Sequence, residues 1–436
     1  MAADGSDRGA ERIVTVRADH RLSVRDDSES LVVGQGQALM ARQMDNKTDD
    51  AQLDAAARDL SLIRGGPFYR IQQSARLIRP DKWNHVRRAT LAIAIGWLPL
   101  ILITALLNPG SLVSLLKDYR VYSRLVIAIP VLLVGQLWVE SRFRMVVDHI
   151  TKASLLEGPD RVRMDDLIKM LLRLRDSAIP ELAILVLLLV HDVRYKSLID
   201  ATPWLAHGVG RDLHLTAAGW YVFLVSATMF QFLLGLGLWK WLLWAVFAFK
   251  LSRLNLKLVP THADGHGGLG FLGLTPIAFT PIAFAATTAI ASTWRQEMID
   301  GGANLMSFKE PAIVLAVIVV LVALGPLAFF VPRLAALRRQ GILDYGILGQ
   351  IDSTAFHEKW IHRRAGHEAE FLTAPENITL NNFGQIYLKL GQLKPFPADK
   401  GALIMLAASV AVPLSPMILA VVPLATVLKA LLGALR

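Results

Sequence analysis

The chain has 436 residues, of which 53% are hydrophobic and 19% charged, with a formal net charge of +10 and no cysteine. The lack of thiols excludes disulfides, thiolate metal sites and cysteine nucleophiles. The apolar share exceeds the roughly 45–50% of soluble domains and is gathered into blocks. That excludes an ordinary water-soluble globule and turns the basic excess toward anionic lipid rather than nucleic acid.

Residues 1–65 mix acidic, basic, Gly and Ser positions and are predicted to be a disordered tail, with a short helix at 52–63. The first apolar run begins only near residue 90, so no cleaved signal is expected. Gly34-Gln35-Gly36 lacks the third glycine of a dinucleotide fingerprint. Residues 66–88, with Phe68, Tyr69 and Trp83, read as an interfacial lead into the first span.

Apolar runs then follow near 90–107, 125–139, 178–193, 220–240, 269–292 and 312–332, and a proline-broken run fills 402–428. A helix needs roughly 20 predominantly apolar residues to cross about 30 Å of hydrocarbon. The expected fold is therefore all-α: a polytopic helical membrane protein with about seven transmembrane helices, six plus the proline-broken C-terminal span. Its parts are the tail 1–65, a six-span bundle over 66–332, a helical segment over 333–400 and the kinked span in 401–436. Within the bundle, Met164, Leu167, Met170, Leu171 and Leu174 recur at helical spacing and predict an amphipathic helix over 163–176.

Basic residues orient the bundle. The connections 76–88, 140–177, 241–268 and 333–400 carry 25 Lys and Arg, against 8 in 108–124, 194–219 and 293–311. Positive connections stay in the cytoplasm. The N-terminus is therefore expected inside, in a multi-pass protein of the cell inner membrane. Its partners are the bilayer and anionic lipid at the basic loops. Assembly into a homo-oligomer is left open, and no cofactor is implied.

Span three is the polar one. Only Leu182–Val190 is cleanly apolar, so a crossing carries Glu181 near one end and His191 and Asp192 near the other. Ionisable groups inside a membrane are costly and mark function by default. Lys240 lies near the same end of span four as Glu181 does of span three, which makes an ion pair feasible. The plainer alternative places Glu181 in a helix first turn and lets Lys240 snorkel to the interface. Span five repeats Thr275-Pro276-Ile277-Ala278-Phe279 as Thr280-Pro281-Ile282-Ala283-Phe284. The prolines should bend or break that helix, and Thr275 and Thr280 can hydrogen-bond back to freed carbonyls. Such a helix either packs against its neighbours or lines a cavity, as broken helices of transporters do.

The most pointed local motif precedes span five: Pro260-Thr261-His262-Ala263-Asp264-Gly265-His266-Gly267-Gly268. His262, Asp264 and His266 could hold a metal ion. The glycines with the following helix N-terminus could contact an anion, and Asp264 could simply cap a tight turn. No metal is assigned. His357-Glu358 and His362 are spaced by five, so on an α-helix they do not share the face of a zinc-protease motif. Residues 373–384, which include the sequon Asn377-Ile378-Thr379, read as a loop.

The stretch VPTHADGHGGLGFLG, the downstream RRQGILDYGILG and the final proline-broken run resemble a family of uncharacterised bacterial polytopic membrane proteins. In that family a Thr-His-x-Asp segment ending in Gly-Gly-Leu precedes a span. The resemblance covers roughly residues 80–430 and implies a membrane location without a chemistry. Together these features favour a transporter- or channel-like protein with polar groups in spans three to five. The alternatives are a membrane-embedded enzyme using the His/Asp loop, or a non-catalytic scaffold subunit acting through 333–400.

Overall fold

The computed structural model describes Ser61 and residues 65–77, 84–195, 202–207, 214–362 and 375–419, all within one compact unit spanning Asp59–Arg436. The expected tail and its short helix lie, apart from Ser61 and Gly65, outside the described residues. So do the side chains of His191 and Asp192, the side chains of the sequon, His367, and the last part of the proline-broken run.

The chain is an all-α membrane protein, with six helices long and apolar enough to span a bilayer among the described residues. After a short helix α1 (Pro67–Ser74) comes α2 (His85–Leu107), and then the one-and-a-half-turn α3 (Leu112–Lys117). α4 (Tyr119–Lys152) is a spanning helix of 34 residues that runs well past its apolar core. α5 (Pro159–Asp176) is the expected amphipathic helix, one turn longer at its start, with Met164, Leu167, Ile168 and Leu171 buried. α6 (Ala178–Tyr195) carries the third apolar run but is only 18 residues long, with its apolar stretch ending at Val190. Among the described residues six helices therefore meet the length criterion, against the expected number of about seven, because charge interrupts this run at both ends.

A two-residue ribbon, β1 (Ala206–His207) with β2 (His214–Leu215), precedes α7 (Ala217–Leu251). α8 (Gly270–Asp300) and α9 (Leu305–Ala328) complete the central spans. Beyond them α10 (Val331–Phe356) pairs with α11 (Pro375–Gln392), and Tyr345 stacks on Phe383 at 6.4 Å. The expected loop at 373–384 is thus helical from Pro375 onward. Proline serves there as a helix-opening residue, since the first turn needs no donor from it. α12 (Lys400–Leu419) closes the described chain as one continuous helix through Pro413 and Pro416.

α8 is the centre of the bundle. The other spans leave more than half of their apolar windows unburied, whereas 72% of the apolar window of α8 is buried. It packs against α4, α7, α9 and α12. Small residues allow the close approach: a Cβ at Gly135 of α4 would collide with the Pro281 ring of α8. The first ten residues of α8, Gly270–Phe279, are wound as a 3₁₀-helix. Runs of that length are uncommon. Two prolines remove donors that a regular α-helix would use. The carbonyls that lose this donor gain a side-chain one, and Ile277 O also keeps the backbone N–H of Thr280. The Thr275 hydroxyl donates to Leu272 O and the Thr280 hydroxyl to Ile277 O, both at 2.7 Å. In α12, Ser415 does the same for Val412 O at 2.7 Å, ahead of Pro416. In each case the hydroxyl residue directly precedes the proline and serves the carbonyl four positions before that proline, where water cannot reach.

Candidate functional site

The bundle has two unlike ends. At one lie the segments 108–118, 202–207, 214–216 and 301–304, tied together: Ser111 and Asn108 donate to Pro203 O, and Tyr119 N–H donates to Gln296. At the other the turns are 153–158, 252–269 and 393–399, joined by Lys257 N–H to Leu155 O and Lys394 N–H to Gly265 O.

A cavity of about 340 Å³ enters from the first end between α4, α7 and α8. It adjoins a vestibule of about 490 Å³, with which it shares Asp118, Arg120, Trp204, Thr293 and Glu297. Both helices forming its long walls depart from α-geometry beside it. Ser123–Ala128 in α4 and Val222–Ala227 in α7 are π-helical. Such turns insert a residue into the helix, re-aim side chains and recur at functional sites. Here the first turn brings Arg124 to the wall and the second brings Phe223 and Ser226.

The polar lining is organised. Asp118, 2% exposed, accepts from the Arg120 amide and clasps the Arg120 guanidinium at 3.0 and 2.8 Å. This caps α4 and neutralises the mouth. One turn deeper, the Arg124 guanidinium lies 3.5 Å from Thr293 Oγ1 of α8, and Glu297 stands one turn outward from Thr293. Ser226 donates to Gly96 O at 2.8 Å. Gln231 lines the same cavity.

A second polar cluster lies nearer the opposite end. Arg88 of α2 is 4% exposed and donates to Gln136 of α4 at 3.2 Å, and its Nε and Nη1 have no hydrogen-bond partner among the described residues. Glu140, 7% exposed, pairs with Arg144 at 2.7 Å. Arg88, Glu181, Glu140 and Arg175 are the charges acting on Lys240 of α7. Glu181 and Lys240 therefore share one charged neighbourhood, but the Glu181 carboxylate serves α1. Its Oε2 accepts the Phe68 N–H at 2.7 Å, while Asp176 accepts Gly66 N–H at 3.3 Å. Two carboxylates from α5 and α6 thus supply the first-turn acceptors that α1 lacks in its own sequence.

The His/Asp loop is a closed turn. Asp264 accepts from the backbone N–H of His266 at 2.8 Å, Gly268 at 3.1 Å and Gly270 at 2.8 Å, and lies 2.9 Å from His262 Nδ1. Burial would raise its pKa, but these amides and His262 outweigh that and hold the carboxyl below the usual value of 3.8. His266 Nδ1 meets Lys394 O at 3.0 Å. Gly267 and Gly268 have φ of 64° and 97°, a left-handed region that favours glycine, and a Cβ at Gly267 would lie 2.6 Å from Leu337. Among the described residues no three His, Cys, Asp or Glu side chains group to hold a metal ion. Thr275 and Thr280, at 3% and 4% exposure, spend their hydroxyls on their own helix rather than on the polar cavity.

His357 and His362 do come together, with ring centroids 4.8 Å apart, contrary to the α-helical expectation. His357–His362 is a π-turn, and its i→i+5 bonding places residues five apart on one face.

The residues that line the cavity were hidden in the sequence as flanking charges. Arg120, Arg124 and Glu297 lie in stretches that charge counting treats as connections. The spacing Arg120–Arg124 and Thr293–Glu297, four residues in each case, was the available signal, because both pairs continue the helical phase of the adjoining spans. Comparison of the chain with protein-family models, with curated proteins and with solved structures finds no match.

Proposed function

We propose that the chain is a transport-type protein of the bacterial inner membrane that takes a small polar solute into the cavity between α4, α7 and α8. One observation carries this reading: a space of about 340 Å³ lined by Arg124, Gln231, Thr293 and Glu297 penetrates a bundle whose outer surface is apolar. Pockets of roughly 300–1,000 Å³ with a few convergent polar groups are the usual form of a small-molecule site. Polar groups within spans mark solute paths. The excess of Lys and Arg around α5 and α10 supports a cytoplasmic N-terminus and basic loops against anionic lipid. In that frame the cavity opens away from the cytoplasm.

The test is uptake by proteoliposomes containing the purified protein, with a panel of small anions, cations, zwitterions and neutral polyols. One class should enter saturably, and Arg124→Ala should abolish its entry while the protein still elutes as the parent does. Entry of every solute at the rate of protein-free vesicles would refute transport.

A second reading, a subunit that docks a partner, is favoured by one feature. α10 exposes Leu343, Ile347 and Ile351, each 63% or more, at four-residue spacing beyond the last central span. Replacing the three with Ser should leave uptake intact and abolish any co-purifying complex.

A further inference from the structure

We infer that a groove on the outer surface of the bundle, between α4, α8 and α12, is a phospholipid site. It takes one acyl chain of an anionic lipid, and Arg142 holds the lipid phosphate. This site does not depend on the transport reading.

The groove has a volume of about 470 Å³. Val134 and Trp138 of α4, Pro281 and Phe284 of α8, and Met405 and Val412 of α12 line it. Val134, Trp138 and Val412 are each 42% or more exposed, so the space is open to lipid. Its floor is the tight crossing where Gly135 meets the Pro281 ring. Two hydroxyl residues share the wall, but Thr280 donates to Ile277 O at 2.7 Å and Ser409 to Leu406 O at 2.6 Å. Both protons are spent within their own helices, and a polar occupant would lie there unpaired. The eight residues from Pro130 to Trp138 cover about 12 Å of α4 at roughly 1.5 Å per residue. That is most of the roughly 15 Å that one leaflet contributes to the hydrocarbon. The wall therefore suits a hydrocarbon chain lying along the membrane normal.

Charge is found at one end. Arg142 follows Gly135 by seven residues and Trp138 by four, which keeps it on the same side of α4 and about 6 Å beyond the groove. Its guanidinium leans over the line of the groove. Nη1 is 3.9 Å from Met145 Sδ, and Met145 lies seven residues after Trp138 and eleven after Val134. The Arg142 Nε is buried without a hydrogen-bond partner among the described residues. Glu140, two residues earlier, is paired with Arg144 at 2.7 Å. A guanidinium stays charged, and its planar fork matches a phosphate. Trp138, between the groove and the charge, carries an amphipathic ring of the kind that favours the headgroup level. An apolar helix of a second copy would fill the groove and leave Arg142 without a counter-charge. A lipid supplies the chain and the phosphate in one molecule, in the order in which α4 presents their partners. With the basic connections in the cytoplasm, that lipid belongs to the inner leaflet.

Native mass spectrometry tests the site on the full-length protein, delipidated in detergent and titrated with dioleoyl phosphatidylglycerol or dioleoyl phosphatidylcholine. The parent should retain one phosphatidylglycerol at a concentration about tenfold or more below that needed for phosphatidylcholine, and Arg142→Gln should erase this preference. Ala408→Trp, at an exposed position on the groove wall, should lower occupancy by the first phosphatidylglycerol about tenfold or more. Ile404→Trp, on the same helix, 69% exposed and outside the groove lining, should bind as the parent does. Retention of neither lipid by the parent would overturn the site. Equal retention of the two lipids by the parent, or an unchanged preference in Arg142→Gln, would overturn the phosphate contact. Unchanged occupancy in Ala408→Trp would overturn the groove as the seat of the chain. A parent dimer that Ala408→Trp dissociates without loss of lipid would assign the groove to a second copy and overturn the proposal.

Discussion

Asp264 is expected to hold the 259–270 loop shut. Its carboxylate is 23% exposed and accepts three backbone N–H groups, one of which, at Gly268, belongs to a buried residue. Hydrogen bonds to a charged acceptor contribute about 1.5–3 kcal/mol each, and a buried donor left unpaired costs about 1–3 kcal/mol. These terms overlap because one side chain supplies them all. Asp264→Ala should therefore raise the free energy of the closed loop by about 3 kcal/mol, roughly two decades in the opening equilibrium. Amide hydrogen exchange in detergent, read at Gly268 and Gly270, should accelerate by about a hundredfold while the amides of α9 keep their rates. The pH dependence has a definite sign. The folded pKa of Asp264 lies below its ordinary 3.8, so its contribution is complete above that value and is lost only as pH falls through the folded value. Protection corrected for intrinsic exchange should stay level from pH 7 to about 4.5 in the parent and fall below 3.8. Acceleration of less than tenfold in Asp264→Ala, or a loss of protection between pH 6 and 5, would refute the assignment of Asp264 as the clasp.

The hydroxyl repairs in α8 lead to a second expectation. Thr280→Val keeps the shape but takes the hydroxyl from Ile277 O, which then keeps only the backbone N–H of Thr280, so thermal stability should fall by about 1 kcal/mol, and Thr280→Ser should restore it. Equal melting of the Val and Ser variants would count against the repair. Glu181→Ala removes the acceptor of Phe68 N–H, so trypsin should cut faster at the exposed Arg70 and Arg76. Glu181→Gln retains an acceptor and should cut at the parent rate; identical cleavage of all three proteins would show that the carboxylate does not anchor α1. The chain has no native cysteine, so single-cysteine labelling is clean. In the proposed orientation, a membrane-impermeant maleimide on intact cells should modify Lys309→Cys and spare Arg163→Cys, and the reverse pattern would invert the bundle.

The apolar runs marked the spans because bilayer thickness imposes a length that few other constraints imitate. Where the reading departed from the structure, the cause was local geometry. The third run contains enough apolar residues to be noticed, but Pro180-Glu181 and His191-Asp192 bound it, and its apolar stretch ends at Val190. Residues 373–384 look like a loop because Pro375 and three asparagines are poor helix-interior residues. A helix can nevertheless begin at a proline, and α11 gains Tyr345 as a packing partner for Phe383.

The cavity was harder to see for a related reason. Composition divides a chain into greasy spans and charged connections, and it assigns each charge to a connection. α4 and α8 are 34 and 31 residues long, much longer than the hydrocarbon requires. Their extra turns carry Arg120, Arg124 and Glu297 along helix faces that turn toward the protein rather than the lipid. The same over-length conceals Arg88 and Glu140, which by sequence sit at the ends of runs one and two and in the structure are 4% and 7% exposed. Burying such groups is costly unless something satisfies them. Glu140 has Arg144 as an ion-pair partner, though neither of its oxygens accepts a hydrogen bond among the described residues, and Arg88 has Gln136 for one of its three nitrogens. The positions that charge counting uses to orient the bundle therefore fall into two physical kinds. Arg163 and Lys152 are solvated and report sidedness. Arg88, Arg120 and Arg124 are helix residues drawn inward, and they report the polar interior of the bundle.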